Sequence, residues 1–398
     1  MIWFKDKLEG NLSYAIKKDY YKKYRVLIYC SKFLNNIEKK ITSYKGTVIY
    51  TLKHCSAICA LLTPKNILQL IEFPEVKWVT RDSYCFLCAS GVESSNRARL
   101  PEKSPFTGRG IGVAVIDTGA YPHSDLITPF NRIRLFTDLI NNYRYPYDDN
   151  GHGTFISGII AGNGSLSKGI YKGIAPGAQL YCYKAFNSLG KAYTSTVLFA
   201  LEEILDAPKE YNIRIICLPF ELYNNDHLTL ECFSKLFNAA IERDMVPIVP
   251  SGSNYNSEGS IEGFACLQNC ITVGGLDTSS SIKSYFASSG GPFQKNTKPD
   301  LAAACVDICS LNTNKKYISE RNGNKLYPGT LENPYCNYSG ASVAAAYISG
   351  LTALILENRS KLKFKDVKAL LKTASNSVVD IPRYQQGEGM VDITKLFL

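Results

Sequence analysis

Residues 111–119 read IGVAVIDTG, and this stretch decides the fold that the sequence predicts. Ile111–Ile116 is a continuous apolar run without alternation, which is typical of a strand buried on both faces of a sheet. Asp117 follows the run directly. A carboxylate therefore stands at the carboxyl end of a buried strand, where α/β sheets place functional groups.

Predicted helices alternate with buried strands along the rest of the chain. Further apolar runs lie at 180–185, 213–219 and 246–249, and helical patterns lie at 153–161, 194–205, 228–243, 342–358 and 365–374. This alternation favours a mostly parallel α/β sheet that is covered on both faces.

The first 90 residues have a different texture. Predicted strands lie at 24–29, 47–52, 57–62 and 76–79, and predicted helices at 34–44 and 64–73. The order strand–helix–strand–strand–helix–strand is that of a ferredoxin-like α+β unit. Ser, Gly, Pro and charged residues follow without periodicity. We therefore divide the chain into a unit at 1–90, a linker at 91–107 and a unit at 108–398.

Charge and cysteine content narrow the class of protein. The 398 residues carry a net charge of +10, and residues 1–90 hold 15 of the 45 basic and 7 of the 35 acidic residues. The excess thus belongs mainly to the first unit. The 13 cysteines are an odd number in a long chain, which favours reduced, buried thiols over a disulfide scaffold.

The N-terminus lacks the apolar core of a signal peptide. We expect a cytoplasmic protein without a membrane span, with export by another route left open.

Three short motifs carry the chemistry. Asp117 ends the buried strand, His152 stands between two glycines, and Ser342 opens a long apolar helix. Each alone is a common cap or loop residue. Together they supply a hydroxyl, a base to accept its proton and a carboxylate to hold the tautomer of that base. Their order along the chain, Asp…His…Ser, differs from that of the α/β-hydrolases and of chymotrypsin.

In these motifs the chain resembles the subtilisin-like serine proteases, or subtilases. The matching segments are IDTG at 116–119, GHGT at 151–154, GIAPGA at 173–178, ITVGG at 271–275, KPD at 298–300 and SGAS at 339–342. The resemblance implies a three-layer α/β/α fold with a mostly parallel sheet, preceded by a ferredoxin-like prodomain. It also implies a serine endopeptidase that acts through an acyl-enzyme.

The resemblance assigns the site residues. Ser342 would be the nucleophile and a backbone oxyanion donor, His152 the general base and then acid, and Asp117 the orienting carboxylate. The substrate would be a protein or peptide. The prodomain would block the cleft of a self-inhibited precursor and then be cut off, with candidate bonds in 83–99.

Two segments depart from the family pattern. The second oxyanion donor is usually an asparagine after a glycine, whereas here Ser253 follows Gly252 and Asn254 comes one place later. Either residue could serve, or neither. The substrate-binding wall aligns with Leu218, Pro219 and Phe220, and we expect narrower cleavage than that of a scavenging protease. Gly252, which precedes the two oxyanion candidates, is the fourth predicted substrate-binding residue.

No cofactor is predicted. Calcium is common in the family, but the corresponding loop at 162–168 has no carboxylate, which hard cations prefer. A pseudoprotease of the same fold, acting as a binding or regulatory protein, is the alternative function. A nucleic-acid-binding protein is disfavoured, because no basic helix or aromatic–basic ladder accompanies the charge.

Overall fold

A computed structural model describes residues 7–88, 90–91, 105–222, 226–291 and 298–397. The linker predicted at 91–107 lies largely outside these residues. The 13 cysteines all fall inside them, are free thiols and are mostly buried.

The N-terminal unit is a four-stranded antiparallel sheet with helices. Its elements are α1 (Gly10–Lys17), β1 (Tyr24–Cys30), α2 (Leu34–Ser43), β2 (Thr47–Leu52), β3 (Ala57–Leu62), α3 (Pro64–Leu70) and β4 (Val76–Arg81). The strand order β2-β3-β1-β4 is ferredoxin-like, as the element order predicts. The helix α3 begins where Thr63 caps it: its hydroxyl accepts the Asn66 N–H at 3.3 Å, and Pro64 takes the first helical position.

The sequence pattern did not predict α1. Its apolar content is low, and only a short stripe that includes Leu12 and Ala15 is buried against the sheet. Packing against the rest of the unit, rather than amphipathic periodicity, stabilises this helix.

The second unit is built on a large, mostly parallel sheet. After β5 (Tyr84–Leu87) and β6 (Ser90–Gly91), the strands in chain order are β7 (Gly112–Asp117), β8 (Ile133–Asp138), β9 (Gln179–Lys184), β10 (Lys191–Tyr193), β11 (Ile213–Cys217), β12 (Phe220–Leu222), β13 (Val246–Pro250), β14 (Ile271–Asp277), β15 (Lys283–Ser284), β16 (Leu301–Ala304), β17 (Ile308–Leu311), β18 (Glu320–Arg321), β19 (Asn324–Lys325), β20 (Tyr335–Ser339), β21 (Ser375–Asn376) and β22 (Met390–Val391). The central sheet has the order β21-β22-β16-β14-β13-β11-β7-β9-β8, with β15 beside β14.

Helices cover both faces of this sheet. They are α4 (Ser124–Ile127), α5 (His152–Ala161), α6 (Thr194–Leu205), α7 (His227–Glu242), α8 (Ala341–Asn358), α9 (Phe364–Thr373), α10 (Arg383–Gln386) and α11 (Ile393–Leu396). The helices α5 and α8 pack on one face of β7, and α6 and α7 form a cluster with the other face. This is the predicted three-layer α/β/α fold.

The helix α8 runs through the core. Its length and composition would allow it to cross a membrane, but 83% of it is buried inside the molecule, as in the core helix of a globular protein. Its small residues, such as Ala344 and Ala345, are fully buried and let the helix lie close to the sheet.

Candidate active site

Asp117 lies at the carboxyl end of β7, between the parallel neighbours β9 and β11. Its side chain is 1% exposed, and its carboxylate accepts the Thr118 N–H at 2.6 Å. Both carboxylate oxygens lie 2.8 Å from Nδ1 of His152. Burial raises the pKa of Asp117, and the neighbouring His152 and the Thr118 N–H oppose that rise.

His152 begins α5 on a turn that Asp148 holds. The Asp148 carboxylate accepts the Gly151 N–H at 2.8 Å, the Thr154 N–H at 2.8 Å and the Thr154 hydroxyl at 2.6 Å. A side chain at Gly153 would collide with the backbone of Gly119, so this glycine lets the helix start lie directly against the end of β7. Asp148 was missed by sequence reasoning, although it stands three residues before the GHGT motif.

Ser342 completes the constellation. Its hydroxyl lies 3.0 Å from Nε2 of His152, although the two residues are 190 positions apart. It occupies the first turn of α8, where backbone N–H groups lack intrahelical acceptors and the helix dipole favours negative charge. Asp117, His152 and Ser342 thus form one hydrogen-bonded chain that is shielded from water.

A buried lysine fixes the strand ends beside the constellation. Nζ of Lys184, at the end of β9, donates to the carbonyl oxygens of Thr118 at 2.6 Å and Phe186 at 3.1 Å. It also forms an ion pair with Asp149 at 2.6 Å. The backbone that carries Asp117 is therefore tied to the loop that carries His152. Sequence reasoning missed Lys184, because a lysine inside an apolar strand gives no motif.

The cleft in front of Ser342 holds a segment of the chain itself. The strand β5 forms the middle of a three-stranded antiparallel sheet, between β10 and β12. The carbonyl oxygen of Cys88, directly after β5, accepts a hydrogen bond from the Ser342 hydroxyl at 3.4 Å. Beyond it, β6 pairs with β20, so that Ser90 lies opposite Ser339. The range 83–99, which was predicted to hold the processing bond, therefore contains a strand at 84–87.

The side chains of Ser253 and Asn254, the two predicted oxyanion residues, donate hydrogen bonds to other protein groups. The Ser253 hydroxyl donates to the carboxylate of Glu221, which also accepts the Ser253 N–H at 2.8 Å. The Asn254 amide nitrogen donates to the carbonyl oxygen of Ser260 at 3.3 Å. Gly252 precedes them with a φ of +108°, a conformation that favours glycine.

The strand that borders the cleft overlaps the predicted wall at Phe220. The strand that pairs with β5 is β12, in which Phe220, Glu221 and Leu222 lie opposite Leu87, Phe86 and Cys85, respectively. Leu218 and Pro219 precede this strand. The Phe220 ring is fully buried between the rings of Phe186 and Phe264. The wall residue missed by sequence reasoning is Glu221.

The loop at 162–168, for which calcium was considered, packs around the carboxylate of Asp125 from α4. Asp125 accepts the Ser165 hydroxyl at 2.8 Å and the Leu166 N–H at 3.1 Å on one oxygen, and the Tyr335 hydroxyl at 2.6 Å on the other. An N–H group cannot ligate a cation, and both carboxylate oxygens already accept hydrogen bonds from protein groups. These residues do not fit a calcium ion.

The N-terminal unit docks on α6 through polar contacts and shares an apolar cluster with α6 and α7. The Glu202 carboxylate accepts the backbone N–H groups of Lys53 at 2.9 Å and His54 at 2.8 Å. Asp82 accepts the Ser195 N–H at 3.0 Å and its hydroxyl at 2.6 Å. A shared apolar cluster, which includes Leu27 and Leu52 from the first unit, lies beneath. The docked unit thereby directs its C-terminal strand into the cleft.

Comparison with known proteins agrees with this arrangement. The subtilase family profile matches residues 108–389. The chain belongs to the subtilase family. It is 32% identical to serine protease AprX of Bacillus subtilis (strain 168) over 348 residues, which are 84% of this chain and 77% of that one. It is 27% identical to subtilisin Savinase of Lederbergia lenta over 287 residues, covering 72% and 90% of the two chains.

A solved structure extends the likeness to the whole fold. Fervidolysin from Fervidobacterium pennivorans superposes with a TM-score of 0.73 at 17% identity, covering 95% of this chain. This chain spans 61% of the length of fervidolysin. As a subtilase with relatives that are serine proteases, the protein is a subtilisin-like serine endopeptidase, which acts on protein or peptide substrates.

Proposed function

We propose that this subtilase is made as a self-inhibited precursor that cuts its own chain between Cys88 and Ala89. One observation carries the proposal. The last segment of the N-terminal unit occupies the cleft as a substrate strand, with the Cys88 carbonyl oxygen at the Ser342 hydroxyl. The docked unit serves as an inhibitor, since a strand paired on both sides leaves no free wall for another peptide.

The reaction follows from the hydrogen-bonded chain. The Ser342 hydroxyl attacks the Cys88 carbonyl carbon while Nε2 of His152 takes its proton, and Asp117 holds the proton on Nδ1. The negative charge on the carbonyl oxygen is stabilised by the Ser342 N–H at the start of α8. The bond to the Ala89 nitrogen then breaks, and His152 returns the proton to that amine. Water, activated by His152, finally hydrolyses the acyl-enzyme.

Intact-mass measurement tests the proposal. The wild-type chain is expected to yield fragments 1–88 and 89–398, whereas Ser342→Ala stays at full length because the nucleophile is missing. If both chains stay at full length, or if the wild type is cut only at another bond, the proposed processing is wrong. A Ser349→Ala variant, which removes another buried serine hydroxyl of α8, serves as the matched control and is expected to be processed.

A specific observation favours a second candidate, a pseudoprotease that binds peptides without cleaving them efficiently. Neither Ser253 nor Asn254 offers its side-chain donor to the Cys88 carbonyl oxygen, since they donate to Glu221 and Ser260. Labelling with a fluorophosphonate separates the two functions. Labelling of Ser342 supports the enzyme, and a folded protein that stays unlabelled after proteolytic removal of the N-terminal unit supports the pseudoprotease.

A further inference from the structure

Glu221 faces the side chain that precedes the proposed cleavage point. In the pairing of β5 with β12, Phe86 lies directly opposite Glu221. Directly opposed residues of an antiparallel pair project to the same face, and residues two apart on one strand share a face. The strand register therefore assigns the Cys88 and Glu221 side chains to one side of this sheet, as diagonal neighbours.

The Glu221 carboxylate bridges the two walls of the groove. From β12 it reaches the opposite loop, where it accepts the N–H and the hydroxyl of Ser253. A Cβ atom added to Gly252 would lie 3.0 Å from one carboxylate oxygen, so this carboxylate lies against the loop backbone. It thus lies between β12 and the loop at Gly252, on the side of the sheet to which the register assigns the residue-88 side chain.

The Glu221 carboxylate can accept further hydrogen bonds, and its negative charge has no ion-pair partner among the described residues. A carboxylate accepts about four hydrogen bonds, and Ser253 supplies two donors. Among the described residues, no lysine, arginine or histidine forms an ion pair with Glu221. The neighbouring Cys88 thiol is buried, and burial and then the Glu221 charge raise its pKa. The groove here disfavours a further negative charge and can accept a cation.

We propose that Glu221 selects substrates with lysine or arginine immediately before the cleaved bond. The inference rests on the proposed function, because it takes the bound tail as the position of a substrate. The chain's own Cys88 is then a neutral residue that does not use this carboxylate. Cleavage of the chain's own tail is consequently slower than cleavage of a basic substrate.

Self-processing of the full chain tests the inference through residue 88. Cys88→Lys and its neutral, similarly long counterpart Cys88→Met are each combined with Glu221 and with Glu221→Gln. With Glu221 present, Cys88→Lys is expected to be processed about tenfold to a hundredfold faster than Cys88→Met, since a charged hydrogen bond contributes about 1.5–3 kcal/mol. In the Glu221→Gln background this ratio is expected to fall to about one.

Equal rates for Cys88→Lys and Cys88→Met in the Glu221 chain overturn the inference, and so does a ratio that survives Glu221→Gln. A second measurement separates this failure from failure of self-processing. The coumarylamides of Cys-Phe-Leu-Lys and Cys-Phe-Leu-Met are offered to the purified protein. If the chain stays intact but the peptides are cleaved, self-processing alone is wrong, and the ratio of their kcat/KM values decides the role of Glu221. If neither chain nor peptides are cleaved, both proposals fail.

Discussion

The two sides of the cleft differ in how their polar groups are used. On one side, Asp117 and His152 lie 2.8 Å apart, and His152 lies 3.0 Å from the Ser342 hydroxyl. On the other side, Ser253 and Asn254 donate to Glu221 and Ser260. The side that would transfer protons is complete, whereas the side that would hold the oxyanion and select the substrate is rearranged. The comparison teaches that proton transfer and oxyanion binding are supplied by separate parts of the cleft and can change independently.

The largest expected effect tests the proton-transfer side. In Asp117→Asn, the amide cannot stabilise the imidazolium and favours the wrong tautomer of His152, so kcat is expected to fall about 10⁴-fold. The rate of self-processing, followed by intact mass, measures this loss. Asp206→Asn, an exposed residue at the end of α6, is the matched control and is expected to keep wild-type activity. A loss below tenfold in Asp117→Asn would contradict the proposed role.

The next effect tests the rearranged side. Ser253→Asn introduces a longer donor at the place where the family usually has asparagine. If the oxyanion lacks a second side-chain donor, kcat is expected to rise by up to about 10²-fold, since one such donor is worth about 10²–10³-fold. KM should change less than kcat, because the donor acts mainly in the transition state. A fall in kcat would indicate that the Ser253 hydroxyl already serves the reaction.

A smaller effect follows from the buried carboxylate. A carboxyl group with a raised folded pKa contributes stability that is present below its unfolded pKa of about 3.9 and is lost as the pH rises through the folded value. Asp117→Asn is therefore expected to gain Tm relative to the parent chain as the pH rises through this window. Both proteins should carry Ser342→Ala, which keeps them at full length. A Tm difference that stays constant from pH 3 to pH 8 would refute this.

The smallest effect concerns Asn254. Because its amide donates to the carbonyl oxygen of Ser260, Asn254→Ala is expected to cost about 1 kcal/mol of stability and to change kcat by less than about threefold. Peptide hydrolysis and thermal unfolding measure the two quantities. A drop in kcat near 10²-fold would instead identify Asn254 as the oxyanion donor. The oxyanion side of the cleft would then be as complete as the proton-transfer side.

Much of the fold and half of the site could be predicted from local patterns. The apolar run of β7, the ferredoxin-like order of the first unit and the motifs around Asp117, His152 and Ser342 are all encoded in short segments. Prediction failed where the signal was short or unpatterned. The strand β5 spans only four residues, and α1 has only a narrow apolar stripe. The place of Glu221 in β12 was not predicted, because Pro219 and Phe220 give no marker of strand register.

The sequence by itself determined which elements form and which three side chains can carry the chemistry, because apolar periodicity and glycine-flanked motifs act over a few residues. Only the tertiary structure decided that Cys88 lies at Ser342, 254 positions away, and that Glu221 holds Ser253, 32 positions away. Those partners depend on how the N-terminal unit docks in the cleft and on how β12 packs against the loop that carries Ser253. A hydroxyl or carboxylate has many potential partners of equal chemistry, and only the folded chain selects among them.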